Sequence, residues 1–227
     1  MTDILETVAA AHAGGVRLHE LSQTLDAPKS SVFGLVKGLV ATGYLVEDDG
    51  SYQLGPALDQ LLAVERPSLV EAARPALEAL RDRFDETATL ATPVGESVVY
   101  ADSAESRQMI RYSPPRRTRR PLYPPSPGKA VLAQWSRRRQ EAYLDGRVSP
   151  EELPTVLAEL DQIRADGVAF NRGETLPDVS AAAAPVIVGG KVLGVISVAG
   201  PSSRVSGRLD ELADALREAA AATASRV

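Results

Sequence analysis

The chain has 227 residues and a formal net charge of −5, and it is 44% hydrophobic and 24% charged. That is an ordinary balance for a globular protein of one large or two modest domains. It has no cysteine, and its histidines are confined to His12 and His19. Disulfides, thiolate metal sites and cysteine nucleophiles are therefore excluded, and a zinc site or catalytic triad in the larger C-terminal part lacks its histidine. No apolar run is long enough to span a bilayer and no signal-peptide pattern opens the chain, so a cytoplasmic protein is expected.

A first helix is expected at about Ile4–Ala13. Leu18, Leu21 and Leu25 recur at helical intervals and predict a two-turn amphipathic helix. Asp26-Ala27-Pro28 then breaks it, and Pro28 suits the first turn of the next helix better than the end of the last. That next helix is predicted over Lys29–Thr42. Val32, Leu35, Val36, Leu39 and Val40 share one face, with Ser30, Gly34, Lys37 and Ala41 opposite. Gly43 ends it as a C′ residue. Tyr44-Leu45-Val46 and Ser51-Tyr52-Gln53-Leu54 then flank Glu47-Asp48-Asp49-Gly50, whose Asp-Gly favours a hairpin turn. Two short helices, a tight turn and a hairpin make the layout of a winged helix-turn-helix, a DNA-reading module. The same spacing also fits a small α+β domain that packs on a neighbour and touches no nucleic acid.

Charge weighs against the DNA reading. Over residues 1–62 the acids Asp3, Glu6, Glu20, Asp26, Glu47, Asp48, Asp49 and Asp59 outnumber the bases Arg17, Lys29 and Lys37. Phosphate neutralisation supplies much of the affinity for DNA, so a basic footprint is the usual sign. Placement restores part of the case. Lys29 opens the second helix, where backbone N–H groups also favour phosphate, and Lys37 lies two turns on along the exposed face.

Pro56–Glu65 reads as a linking helix, and the boundary falls near Arg66-Pro67. Residues 1–62 are assigned to the winged domain with the start of the linker, and 63–227 to a second domain. Ser68-Leu69-Val70-Glu71 is a capping box. The helix that follows runs to about Phe84, and Pro75 predicts a kink or a two-part helix. Strands are expected at Ala88–Pro93, Ser97–Asp102 and Arg107–Tyr112, then an irregular loop over 113–127 rich in Pro and Arg. Helices are expected at Gly128–Trp135, Arg137–Leu144 and Leu153–Asp166, the last stopped by Gly167. Strands Ala181–Val188 and Val192–Ala199 are joined at Gly189-Gly190, and an Ala- and Leu-rich helix, Gly207–Thr223, follows. The interleaving predicts an α+β domain with a mostly antiparallel sheet.

The order of motifs resembles the isocitrate lyase regulator (IclR) family of bacterial transcription regulators over nearly the whole chain. In the first domain the resemblance rests on Pro28-Lys29-Ser30-Ser31, Gly43-Tyr44-Leu45 and Tyr52-Gln53-Leu54-Gly55. In the second it rests on Pro121-Leu122, Gly128-Lys129-Ala130 with Leu132-Ala133, and Ile163-Arg164-Ala165-Asp166-Gly167-Val168. Gly173-Glu174, Ala183-Ala184-Pro185-Val186 and Ser197-Val198-Ala199-Gly200-Pro201 with Arg204 complete it. The resemblance implies an N-terminal winged helix joined by a linker helix to a GAF-like effector-binding domain. It further implies a homodimer or homotetramer that binds double-stranded promoter DNA and responds to a small-molecule effector, here an organic acid.

Carried over position by position, Lys29, Ser30, Ser31, Phe33, Gly34 and Lys37 match the positions that face the major groove. The chain departs from the family at Gly34, where a long basic side chain is usual. Gly38 is a second glycine one turn on, and each costs a helix interior ~1 kcal/mol relative to Ala. Ser30 and Ser31 read equally as helix caps or as base contacts. The family's effector pocket maps to Met109, Arg120, Ser126, Pro127, Asn171, Ala181, Ser197 and Ala199. Ser126-Pro127 reads as N-cap and N1 of the helix that Gly128 begins, so free N–H groups there would hold a carboxylate. Ala181, Ala199 and Pro127 replace more polar groups of several members, so a more apolar pocket is expected. Arg120 aligns with a position that is usually apolar. Within the run Arg116, Arg117, Arg119, Arg120 it reads as solvated, whereas pointing inward it would pair with an anionic effector.

Other motifs fail. Pro127-Gly128-Lys129 lacks the earlier glycine and the following Ser or Thr of a phosphate loop, having Tyr123 and Ala130 there. Glu96, Asp102 and Glu105 lie by a predicted hairpin as ordinary solvated acids. No catalytic residue, metal or cofactor is expected. The sequence thus predicts a non-enzymatic, ligand-responsive transcription regulator, a repressor of metabolic or catabolic genes. The alternative is a sensing or interaction protein of the same fold that has lost sequence-specific DNA binding.

Overall fold

A computed structural model describes residues 2–11, 15–58, 68–114 and 118–227. These fall into two compact units, residues 1–65 and 66–227. Most of the expected linking helix Pro56–Glu65, together with His12, Arg116 and Arg117, lies outside the described residues.

In the first unit α1 (Thr2–Ala10), α2 (Leu18–Thr24) and α3 (Lys29–Ala41) close on a core of Ile4, Val8, Leu21, Val32, Val36, Leu39, Leu45 and Tyr52. Helix α3 ends as its glycine requires. Gly43 takes φ +77, its N–H donates to the Val40 carbonyl at 3.0 Å, and the Tyr44 N–H donates to that of Leu39 at 2.9 Å, which is a Schellman motif. Strands β2 (Leu45–Asp48) and β3 (Ser51–Leu54) form the wing. Its turn residues Asp49 and Gly50 both have positive φ, as a type I′ hairpin needs. Strand β1 (Val16–Arg17), which no periodicity announces, pairs with β3 and makes the sheet three-stranded in the order β1-β3-β2. One expectation fails on α3. Leu35 is 39% exposed rather than in the core, because Val32, Val36 and Leu39 already fill the stripe that faces α1 and α2.

In the second unit the Ser68 hydroxyl accepts the Glu71 N–H and the Glu71 carboxylate accepts the Ser68 N–H, opening α4 (Leu69–Phe84). The helix is continuous through Pro75, not two-part. Ala72, Ala73, Leu77, Leu80 and Phe84 bury one stripe on both sides of the proline, and Pro75 itself faces out. Strands β4 (Thr87–Val94), β5 (Ser97–Ala104), β6 (Arg119–Pro121), β7 (Ala169–Arg172), β8 (Val179–Val188) and β9 (Lys191–Pro201) form one antiparallel sheet in the order β6-β5-β4-β9-β8-β7. Helices α5 (Ser126–Leu132), α6 (Arg137–Leu144) and α7 (Leu153–Asp166) follow β6. A short α8 (Ser202–Val205) and a 3-10 turn lead into α9 (Leu209–Ala224).

Alternation along the strands sorts the two faces. Leu90, Ala182, Ala184, Ile196 and Val198 pack with Leu77 and Phe84 of α4 and with Leu212 and Leu216 of α9. Val98, Tyr100, Ala183 and Val195 pack with Ala130, Leu132, Leu144, Leu160 and Ile163 of the other helices. The expected strand Arg107–Tyr112 is irregular instead. Residues 107–111 are all exposed, with no face to bury, and the place beside β5 goes to β6, inside the stretch expected to be loop.

Candidate functional site

The first candidate site is the outer face of α3. Lys29, Ser30, Ser31, Phe33, Gly34 and Lys37 are all exposed, while Val32, Val36 and Leu39 hold the helix from behind. The capping reading of the serines does not hold. Pro28 occupies the N-cap, no side chain caps the helix, and among the described residues neither serine hydroxyl has a partner. Lys37 Nζ lies 5.5 Å from the centre of the Phe33 ring and 3.3 Å from a carboxylate oxygen of Glu47 on β2. The acidic wing therefore already touches one of the two lysines. A Cβ added at Gly34 or Gly38 would meet nothing within 4 Å. Neither glycine is needed for packing.

The second candidate site is an open cavity on the α5 side of the sheet, with about 430 Å³ of empty space when the adjoining open solvent is included. Register builds its floor. Asn171, Ala181 and Ala199 are cross-strand partners along β7, β8 and β9, and Ser197 lies opposite Ala183 and Thr89. Small side chains on these rows leave space beneath α5. The Thr89 and Ser197 hydroxyls are 2.6 Å apart and satisfy one another. Asn171 Nδ2 donates to the Thr175 hydroxyl at 2.8 Å and to the Pro124 carbonyl at 3.1 Å.

Of the expected pocket residues, Arg120, Ser126, Pro127, Asn171, Ala181, Ser197 and Ala199 line this cavity. Met109 does not. It is 98% exposed on the loop after β5. That loop is tied down by the Thr87 hydroxyl, which donates to the Tyr112 carbonyl at 2.6 Å, and by Arg204, which donates to that of Ile110 at 3.0 Å. The result puts Tyr112, not Met109, on the cavity wall. Gly128 also stands off the wall. It backs onto Leu122, whose Cα and carbonyl oxygen an added Cβ would penetrate.

The start of α5 differs from expectation by one residue. Pro125 is the N-cap, Ser126 is the first helical residue and Pro127 the second. The Ser126 side chain therefore does not cap. It is 1% exposed and its Oγ has no hydrogen-bond partner. Arg120 is half-buried and lines the cavity. It pairs with Val98 across β5–β6 and follows the inward alternation of Val98 and Tyr100. Among the described residues it has no carboxylate partner. Burial, and then the neighbouring Tyr112, push the Tyr100 hydroxyl well above the usual phenol range, while Arg120 acts the other way.

Tyr100, Tyr112, Pro125, Thr175, Leu176 and Val179 complete the lining. Tyr100 was within reach of the sequence, since it shares a strand face with Val98. The others sit on loops and at a strand end, where no periodicity speaks. Lys129, one turn into α5, is fully buried and bridges Glu159 of α7 at 2.7 Å and Glu174 of the β7–β8 loop at 2.6 Å. Its ammonium is consumed inside the fold, not offered to a phosphate. Among the described residues no helix is long and apolar enough to cross a membrane, and no cluster of acids or histidines is placed to hold a metal.

The IclR helix-turn-helix domain matches residues 2–49, and the C-terminal domain of bacterial transcriptional regulator IclR matches residues 61–225. The chain is 34% identical to the HTH-type transcriptional regulator BhcR of Paracoccus denitrificans, over 96% of this chain and 82% of the relative. It is 32% identical to the HTH-type transcriptional regulator Rv1719 of Mycobacterium tuberculosis, over 92% and 84%. An IclR homolog from Microbacterium hydrocarbonoxydans, solved in complex with 4-hydroxybenzoate, superposes with a TM-score of 0.75, covering 99% of this chain and 97% of that one. At 20% identity that likeness is one of fold.

Proposed function

The chain belongs to the IclR family of bacterial transcriptional regulators, and on that premise we propose that α3 reads promoter DNA while the cavity of the second unit holds a small organic effector. It is a cytoplasmic regulator without enzymatic activity, acting as a repressor of metabolic or catabolic genes. The observation that carries the DNA half is the outward face of α3. Two lysines, two unpartnered serine hydroxyls and an exposed Phe33 stand on a helix whose other face is locked in the core. Lys29 supplies phosphate contact at the helix start, and Ser30, Ser31, Phe33 and Gly34 present short groups to base edges. With few basic groups per helix, tight binding needs two half-sites read by a homodimer, or a homotetramer built from it.

The effector half is supported by the cavity floor of Asn171, Ala181, Ser197 and Ala199, and by a relative of the same fold solved with 4-hydroxybenzoate. A second reading keeps the sensing cavity and drops sequence-specific DNA binding. The Lys37–Glu47 pair and the acidic wing favour it. Retardation of DNA by the parent chain separates the two, and Lys29→Ala tests the contact assigned to Lys29. Titrations in a series of salt concentrations should show weaker binding to all DNA sequences and a salt slope shallower by about 0.9, one phosphate contact. An unchanged slope removes Lys29 from the interface.

A further inference from the structure

The side chains that α3 turns outward are a restricted set. Ser30, Phe33, Gly34 and Lys37 share one stripe and all are exposed. From Lys29 to Ala41 the helix carries no arginine, asparagine, glutamine, aspartate or glutamate. Those are the side chains that pair with guanine, adenine or cytosine through directed hydrogen bonds in the major groove. Lysine also addresses guanine, but Lys37 is held by Glu47 at 3.3 Å and Lys29 is the phosphate contact assigned above. Serine hydroxyls donate and accept alike, so they fit several bases. Phe33 is the member of the stripe with a chemical preference. The chain has three phenylalanines. Phe84 and Phe170 pack on the core of the second unit, whereas Phe33 is 44% exposed and has the Lys37 ammonium 5.5 Å from its ring centre. Gly34 beside it adds no side chain, and a Cβ there would meet nothing within 4 Å. Among the base-pair features displayed in the major groove, the one that an apolar ring complements is the C5-methyl group of thymine.

Resting on the reading of α3 as the helix that meets DNA, we propose that Phe33 is a specificity-determining residue and that it reads thymine methyl groups. Ring and methyl leave water together, which supplies the attraction without any charge. The half-site is then selected by an apolar contact in place of a bidentate hydrogen bond. Lys29 gives affinity that is blind to sequence, and Phe33 gives the discrimination. The bare backbone at Gly34 leaves the ring unshielded as the helix approaches the base edges.

The test is gel retardation by the full chain of the DNA immediately upstream of its own coding sequence, made in two forms. One form contains thymidine and the other deoxyuridine throughout, which removes every C5-methyl group and keeps the base pairing and the phosphates. The parent chain should bind the thymidine form more tightly, by about fourfold for each methyl group the ring covers. The salt slope should be the same for both forms, because the phosphate contacts are untouched. Phe33→Ala should bind the two forms equally, near the parent's affinity for the deoxyuridine form and with an unchanged salt slope. Phe33→Leu, which keeps an apolar side chain, should retain part of the preference, and it supplies the comparison if Phe33→Ala fails to fold. Equal binding of both forms by the parent chain overturns the proposal and leaves α3 standing as a reader of DNA. A preference undiminished in the variants overturns it too, since the methyl groups then act through another side chain or through the shape of the duplex. Retardation of neither form overturns it together with the DNA half of the proposed function.

Discussion

Single residues in this protein are legible through what surrounds them. Gly128 belongs to a motif that sequence reasoning ties to the pocket, yet its requirement is steric. Leu122 leaves no room for a Cβ. Gly128→Ala should therefore destabilise the chain by about 1–3 kcal/mol, the usual range for overpacking, which urea denaturation would record. An unchanged midpoint would mean that the Leu122 backbone yields freely. On the DNA face, Glu47 is the residue to change. Its pair with Lys37 is exposed and adds little stability, but it removes a cation from the available surface. Glu47→Gln should tighten DNA binding and steepen the salt slope by about 0.9, one phosphate contact, with the melting temperature unmoved. Weaker binding would show that the pair positions Lys37 rather than masking it.

At the scale of elements, helix α3 combines a firmly buried stripe with an outer face weakened by two glycines. An added Cβ at Gly34 or Gly38 meets open space, so Gly34→Ala and Gly38→Ala should each raise stability by about 0.5–1 kcal/mol in thermal unfolding. A loss of stability would show that one of these positions packs against something. Most elements were readable because their causes are local. The Ser68–Glu71 capping box, the positive-φ glycines at 43, 167, 189 and 190, and the stripe of Val32, Val36 and Leu39 all act within a few residues. The misreadings were tertiary. The expected strand at 107–112 lost its place on the sheet to Arg119–Pro121, three residues with no alternation of their own, and β1 and β7 exist because a partner strand holds them. The same applies to the cavity. Its floor on β7–β9 was legible through motif resemblance, whereas Tyr112, Thr175 and Leu176 arrive on loops whose course is set by distant bonds such as Thr87 to Tyr112. Arg120 read as a solvated arginine in a basic run because the sequence did not reveal that it sits in a strand with one face turned inward.

At the scale of the whole molecule, two units with different chemistry share one chain. The first carries the excess of acids and still exposes a helix of lysines and hydroxyls. The second surrounds a cavity with an unpaired arginine and an unpaired serine. Membership of the IclR family makes the chain a transcriptional regulator, and the proposed function joins the two units by letting a ligand held in the second govern DNA binding by the first. The point of tension is affinity, since Lys29 and Lys37 are the only bases α3 offers and Lys37 is shared with the wing. The decisive measurement is retardation of the DNA immediately upstream of the chain's own coding sequence, followed from low to physiological salt. The account predicts a discrete complex at low salt whose affinity falls linearly on logarithmic axes as salt rises. No retardation at low salt by folded protein would contradict it and leave a sensing protein that no longer reads DNA.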